Sequence, residues 1–174
     1  MDKKNSSKKI AILALLAAFA MILSFVEALI PNIVPIPGFK LGLANFAVLL
    51  TLYLFGLGQA VLVDVVRILL TTFLFGSVMS LPYSLSAGII SILIQFCLIK
   101  TDKLSVIGVS AVGGVSHNLI QVVVGMIVLN SPYLVMYMPI LGIVGLFSGI
   151  VIGLLVNILR KPLKRVVKNE RLNE

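Results

Sequence analysis

IAILALLAAFAMILSFVEALI, residues 10–30, is an apolar run in which Glu27 is the single ionisable side chain. A run of about 18 or more such residues is long enough to cross a bilayer as a helix. Similar runs recur along the chain, and 60% of all residues are hydrophobic while only 11% are charged. A soluble domain of this size could not hide that much apolar surface, because about half of its residues must face water. The sequence therefore predicts an integral membrane protein.

Prolines, glycines and polar loops divide the chain into six predicted transmembrane helices. Their bounds are about 10–30, 41–55, 59–75, 82–99, 106–129 and 137–159. The second is short for a bilayer, so we expect it to be tilted, broken or shielded by protein. A chain of this length has no room for another domain, so residues 1–174 are predicted to form a single all-α transmembrane bundle.

Positive charge is concentrated at the two ends of the chain and in one short loop. The basic tails 1–9 and 160–174 and the loop with Lys100 and Lys103 all fall on one side of a six-helix arrangement. Because cytoplasmic segments carry such an excess of Lys and Arg, both termini are predicted to be cytoplasmic in a multi-pass protein of the bacterial cell membrane. Attraction to the lipid bilayer accounts for the net charge of +8, and no basic face interleaved with aromatics indicates nucleic acid.

Small residues recur at the spacing of helix–helix contacts. Ala14 and Ala18 are four apart in the first span, and Gly145, Gly149 and Gly153 form an every-fourth stripe in the last. Such stripes let helix backbones approach closely in lipid. Packing within the bundle is the ordinary interpretation, and reception of a partner subunit is the alternative.

Four ionisable residues lie within the spans or at their edges, namely Glu27, Asp64, Arg67 and His117. Each needs a partner or a wet cavity, because a charge at the bilayer centre costs at least about 2.5 kcal/mol on insertion scales. Asp64 and Arg67 are three residues apart, so they share a helix face and are predicted to pair. The pair either makes insertion tolerable or, through Arg67, contributes to a ligand site.

The outer half of the bundle is predicted to hold a ligand-binding site beneath the proline-rich segment 31–40. The candidate residues are Glu27, Lys40, Asn45, Arg67, Tyr83, His117, Asn118 and Gln121, with Ser84, Ser86, Tyr133 and Tyr137 in the same half. An interhelical hydrogen-bond network is the structural alternative for the polar cluster 117–121, and the last two tyrosines fit an interfacial belt equally well. The cationic side chains favour an anionic or hydrogen-bonding ligand.

Several motifs that would indicate chemistry are missing from the sequence. There is no phosphate-binding loop with Lys-Ser or Lys-Thr, so the chain cannot fuel transport with ATP by itself. Cys97 is the single cysteine, and Asp2, Asp64 and Asp102 are too isolated to hold the magnesium ions of a prenyl diphosphate synthase. The sequence therefore predicts no metal site, no cofactor and no catalytic activity of its own.

The segment Pro37-Gly38-Phe39-Lys40-Leu41-Gly42-Leu43-Ala44-Asn45 resembles the signature of the Gx transporter family, also labelled heptaprenyl diphosphate synthase component I. Residues 27–31, 67–76 and 108–121 match the family in order, and Tyr83-Ser84 before Gly88 is also similar. The resemblance covers about residues 24–153. It extends to the substrate-binding S components of energy-coupling-factor (ECF) transporters.

The ECF resemblance implies six helices and an outward pocket capped by the loop after the first helix. It also implies that a small-residue face on that helix, matched here by Ala14 and Ala18, docks a transmembrane coupling subunit driven by two ATPase subunits. The first functional hypothesis is therefore an S component that captures a small anionic, isoprenoid or cofactor-related metabolite from outside. The alternative is a membrane accessory subunit for prenyl diphosphate, quinone or flavin-linked electron-transfer metabolism, without transport.

Overall fold

The computed structural model describes residues 3–29, 42–76 and 78–172. This part of the chain is helical and contains no strand. The helices are α1 (Lys3–Leu29), α2 (Asn45–Phe55), α3 (Leu57–Phe75), α4 (Leu81–Thr101), α5 (Val106–Val128) and α6 (Met138–Leu172), with 3-10 turns at Val78–Ser80 and Pro132–Tyr137. The prediction of an all-α fold with six helices is confirmed.

Five of these helices are long and apolar enough to cross a membrane, and α2 is the shorter sixth. Their outward faces carry large apolar side chains such as Phe73 and Ile127, each 74% exposed. A soluble monomer rarely exposes contiguous apolar surface on this scale, whereas acyl chains cover it at no cost. The length and composition of the helices are therefore those of a multi-pass membrane protein.

Both ends of the described chain lie at the same end of the bundle, beside the turn between α2 and α3. With the Gln59 side-chain nitrogen facing the Phe55 carbonyl, Lys9 Nζ donates to the Gln59 side-chain oxygen at 2.8 Å. From the other end of the chain, the Arg160 guanidinium packs over the Tyr53 ring. We call this the terminal end and the opposite one the far end. Its assignment to the cytoplasm stays a prediction.

Helix α2 is buried on every side. All of residues 46–52 are buried, so no face of this helix is offered to lipid. A helix that is apolar all round is stable only when other elements surround it, and here α1, α3, α4 and α6 do so. The expectation that protein shields this short span is confirmed. Its predicted start at residue 41 was wrong, because 42–44 form a turn in which Gly42 has a φ of +83°.

The glycine stripe of α6 packs against α5. A Cβ on Gly145 would lie 2.5 Å from the carbonyl oxygen of Gly114, and a Cβ on Gly153 would lie 2.7 Å from Ile107 Cα. Gly149 meets the backbone of α5 between these points. The stripe therefore packs the bundle, as the ordinary interpretation predicted, and is not available to a partner subunit.

Helix α6 continues well past the predicted end of the last span at residue 159. Pro162 lies inside it and cannot donate a hydrogen bond to the preceding turn. Leu163 nevertheless packs against the apolar core, on the same helix face as the buried Val156. This packing supports the continuation, so the tail 160–174 is helical as far as Leu172. The tail 1–9 is likewise helical from Lys3 onward.

Candidate functional site

A carboxylate from α1 holds the turn through which the chain enters α2. The backbone N–H of Gly42 donates to Glu27 Oε1 at 2.5 Å, and Glu27 is buried. The positive φ of Gly42 is a conformation that residues with a side chain rarely adopt. A carboxylate at the start of a helix also interacts favourably with the helix dipole. Glu27 therefore helps to set where α2 begins, and its contact with a ligand stays a prediction.

Helix α2 covers only part of the depth of the bundle. At a rise of about 1.5 Å per residue, its 11 residues span about 16 Å, whereas the 19 residues of α3 span about 28 Å. The two helices share the terminal end, where only Gly56 separates them. Ring contacts agree, since Phe46 meets Phe19, and Phe75 meets Phe25 farther along α1. By the same rise, α2 begins about 12 Å short of the far end of α3, inside the bundle.

Asp64 and Arg67 form the predicted ion pair in the interior. Arg67 Nη2 and Nε lie 2.5 and 3.1 Å from Asp64 Oδ1, and Nη1 donates to the Ser24 hydroxyl of α1 at 3.2 Å. Both charged side chains are buried. The pair neutralises the two charges, as burial in a membrane requires, and it ties α3 to α1. The predicted pairing is confirmed, and a ligand contact by Arg67 stays a prediction.

The second carboxylate oxygen of Asp64 faces α4. Oδ2 is buried and has no hydrogen-bond partner in the described part of the chain. Gly88 makes room for it, because a Cβ at that position would overlap Oδ2. A buried carboxylate oxygen without a donor is costly. This is therefore a point at which a donor group, from a water or a ligand, gains a strong hydrogen bond.

One face of α4 carries a buried stripe of polar and small residues. It consists of Ser84, Gly88, Ser91 and Gln95, spaced by three or four positions. The Ser91 hydroxyl lies 3.4 Å from His117 Nδ1 on α5, and the Gln95 side chain occupies the space beside Gly113. The sequence analysis missed Ser91 and Gln95. Their helical spacing within an apolar segment was the signal that could have found them.

A small polar cavity lies between α2, α4, α5 and α6. Amides and hydroxyls form its polar lining, namely Asn45, Gln95, Asn118, Ser110 and Ser148. The cavity measures about 300 Å³ when the open space at its entrance is included, and its enclosed part holds about one water molecule. No charged side chain is among its lining residues. The cavity therefore suits a neutral group that donates or accepts hydrogen bonds.

Asn118 joins the cavity to the α5–α6 contact. Its Nδ2 donates to the Leu141 carbonyl of α6 at 2.9 Å, and both residues are buried. A side-chain amide that bonds to a neighbouring helix is the interhelical network considered above as the structural alternative. That interpretation is confirmed for Asn118, whose contact with a ligand stays a prediction.

The predicted site residues fall in several places. The cavity brings Asn45 and Asn118 together, whereas Glu27 and Arg67 belong to contacts of α1. Buried positions on α4 and α5 are occupied by Tyr83 and His117, and Gln121 is half-buried. Lys40 lies outside the described residues. Within the described ranges, no three His, Cys, Asp or Glu side chains come together as a metal site.

The two tyrosines at the far end differ in environment. Tyr133 is 77% exposed, as the interfacial interpretation predicts, while Tyr137 packs against a small apolar cluster around Val122 and Leu141. Neither is among the lining residues of the cavity. The sequence could not predict this difference in environment, because the two tyrosines lie only four residues apart in one short segment.

The small-residue face of α1 is exposed. Ala14 and Ala18 both point away from the bundle, and only 17% of the apolar stretch of α1 is buried, the lowest share among the long helices. This face is left for lipid or for another protein. The docking assignment of the two alanines stays a prediction.

The family of the chain follows from a comparison with known families. A family model for heptaprenyl diphosphate synthase component I matches residues 16–159, which run from α1 to α6 and include the Gly42 turn and the buried ion pair. The chain belongs to the heptaprenyl diphosphate synthase component I family. The family resemblance seen in the sequence is thereby confirmed. No curated protein and no solved structure matches the chain significantly, and the likeness to ECF S components stays a prediction.

Proposed function

We propose that this protein is the substrate-binding S component of an ECF-type importer in the cell membrane. The observation that carries the proposal is α2, which begins inside the bundle, next to a cavity lined by amides and hydroxyls. A helix that stops at membrane depth is tolerated where it is packed in protein or lines a cavity. Many secondary transporters bind their substrates at such interrupted helices. The protein then binds and delivers a metabolite without catalysing a reaction.

The described side chains support recognition by hydrogen bonds more than by charge. Arg67 is already neutralised by Asp64, and the cavity itself offers amides and hydroxyls. Apolar side chains of α2 and α6, such as Leu49 and Ile152, complete the lining. The ligand we propose is a small isoprenoid- or cofactor-related metabolite whose polar head reaches these amides.

Binding requires the helices around the cavity to move apart, because the enclosed space holds about one water molecule. Transport then requires an energy source outside this chain. A transmembrane coupling subunit with two ATPase subunits would supply it, docked on the exposed Ala14 and Ala18 face of α1. An exposed face of small residues is a suitable contact for another membrane helix.

The test begins with the purified protein in detergent and identification of co-purified small molecules by mass spectrometry. Binding of the identified compound is then measured for Asn118→Leu and Gln95→Leu. Each change removes a buried hydrogen-bonding group, and a ligand group left without its partner costs about 1–3 kcal/mol of binding free energy. We therefore expect the Kd to rise about tenfold or more. Ser116→Ala is the matched control, since its hydroxyl donates to the Gly113 carbonyl of its own helix and Ser116 is not among the lining residues of the cavity. Unchanged binding in both cavity variants would contradict the proposal.

A second function is favoured by the family name, which associates the chain with heptaprenyl diphosphate synthase. On this reading the protein is a membrane accessory subunit for prenyl diphosphate, quinone or flavin-linked metabolism. Affinity purification from native membranes distinguishes the two. Recovery of ATPase and coupling subunits supports the importer, whereas recovery of a prenyl synthase without an ATPase supports the accessory subunit.

A further inference from the structure

Two cations, one from each end of the chain, contact residues that flank the turn between α2 and α3. Lys9 Nζ lies 2.8 Å from the side-chain oxygen of Gln59, and the Arg160 guanidinium carbon lies 5.4 Å from the centre of the Tyr53 ring. We call Lys9, Tyr53, Gln59 and Arg160 the terminal cluster. It lies apart from the polar cavity, at the end of the bundle that carries both chain ends.

The position of Arg160 is held by packing. Val156, Arg160 and Leu163 follow one another at helical spacing, and the two apolar members of this row pack into the core. The guanidinium therefore stays against Tyr53, although α6 passes through Pro162 just beyond it. Its Nε is buried and has no hydrogen-bond partner in the part of the chain that the structure describes. A buried donor without an acceptor is a costly arrangement that an incoming oxygen would relieve.

Further positive charge follows Arg160 on α6. Lys161, Lys164 and Arg165 are exposed on the continuation of α6. Neither Lys9 nor Arg160 forms an ion pair with a carboxylate in the described ranges. The net field therefore attracts an anion to the end of the bundle at which the packed guanidinium and the ammonium contact residues on the two sides of this turn.

Neighbouring apolar side chains indicate where that anion comes from. Ile10 follows Lys9 and is 63% exposed, and Ile158 precedes Arg160 by two positions and is 65% exposed. These side chains face the acyl region of a bilayer if the adjacent helices span it. The cations are then at the level of the headgroups, where anionic lipids concentrate. An arginine fork matches two phosphate oxygens at once, while lysine adds a point charge.

We propose that the terminal cluster binds the phosphate of an anionic phospholipid, with Arg160 as the main ligand and Lys9 as the second cation. The lipid phosphate supplies the acceptor that Arg160 Nε lacks, while acyl chains of the surrounding bilayer cover Ile10 and Ile158. Such a lipid joins the first and last helices across the α2–α3 turn. The proposal does not depend on which metabolite the polar cavity binds.

The test uses the full chain in neutral detergent, with native mass spectrometry after addition of phosphatidylglycerol or phosphatidylcholine. We expect retained phosphatidylglycerol in the wild type, and at least a tenfold loss of affinity in the double variant K9Q/R160Q. Lys103→Gln is the matched control, because it removes an exposed positive charge from the α4–α5 connection, and Lys103 is not one of the four residues of the terminal cluster. R160K keeps the charge but loses the fork, and we expect it to bind more weakly than the wild type.

Three results would overturn the proposal. The first is equal retention of phosphatidylglycerol by K9Q/R160Q and the wild type. The second is an equal loss in K103Q, which would mean general attraction to surface charge. The third is binding of inorganic phosphate with no preference for phosphatidylglycerol over phosphatidylcholine, which would assign the cluster to a free anion. Thermal unfolding of each variant without added lipid shows whether it is folded, and R160K provides the comparison if the double variant is not.

Discussion

Replacing Gly149 by alanine adds one methyl group where α5 and α6 pack closely together, beside the polar cavity. A Cβ at this position would lie 2.6 Å from the Ser110 carbonyl oxygen and 2.8 Å from Ala111 Cα. Both are backbone atoms, so no side chain can rotate to relieve the contact. Ordinary contacts of this kind begin at 3.4 Å, and the two helices would therefore have to separate by about 0.8 Å.

Overpacking of this kind costs about 1–3 kcal/mol in well-packed interiors. Gly142→Ala is the matched control, because it lies on the same helix and a Cβ there meets nothing within 4 Å. Alanine also has a higher helix propensity than glycine, so the control should be as stable as the wild type or slightly more so. We expect Gly149→Ala to be about 1–3 kcal/mol less stable than Gly142→Ala.

The comparison uses reversible unfolding of the purified protein in mixed detergent micelles. Unfolding is monitored through the helical circular dichroism signal. Where unfolding is irreversible, the unfolding rates of the two variants give the same ranking. Equal free energies or equal rates for the two alanine variants would refute the close contact of α5 and α6. A second readout is binding of the co-purified compound, which should weaken in Gly149→Ala because Gly149 also lines the cavity.

Two further substitutions test the buried ion pair and the turn before α2. Arg67→Met should destabilise the protein by about 3–5 kcal/mol, because it leaves the Asp64 carboxylate buried without its counter-charge. Adding Asp64→Asn should recover part of this loss in the same unfolding assay, and a double variant no more stable than the single one would contradict the pairing. Gly42→Ala should cost about 1–2 kcal/mol because alanine disfavours a left-handed backbone. Gly58→Ala, where a Cβ meets nothing within 4 Å, is its control, and equal stability of the two would show that the turn before α2 is not strained.

Much of the fold could be predicted from the apolar runs alone. The predicted span 106–129 differs from α5 (Val106–Val128) by one residue, because polar loops limit it on both sides. The start of α2 was mistaken because Leu41, Leu43 and Ala44 favour a helix, and the weak helix propensity of Gly42 did not by itself indicate a turn. Its true position depends on the backbone of Gly42 and on Glu27, fifteen positions earlier. The length of α6 was missed because the apolar run ends where the basic tail begins at Arg160, and the packing of Leu163 beyond Pro162 is not visible in sequence.

Some of the polar contacts could likewise be predicted from the sequence, and others could not. Asp64 and Arg67 pair within one turn of one helix, so their spacing predicted the contact. The bond from Asn118 to Leu141 depends on which two helices are neighbours, and helix periodicity does not state this. The spacing of Gln95 on α4 could have placed it on a polar face, but its contact with Gly113 on α5 could not be predicted.

The burial of α2 has a consequence for how the protein is made. α2 is short, and a single residue, Gly56, joins it to α3, so the two must enter the membrane together as one hairpin. Helix α6, which packs against α2, is synthesised after the other five helices. Until then, part of α2 faces lipid or an insertion chaperone. Assembly of this bundle is therefore completed only after α6 has been synthesised and has packed over α2.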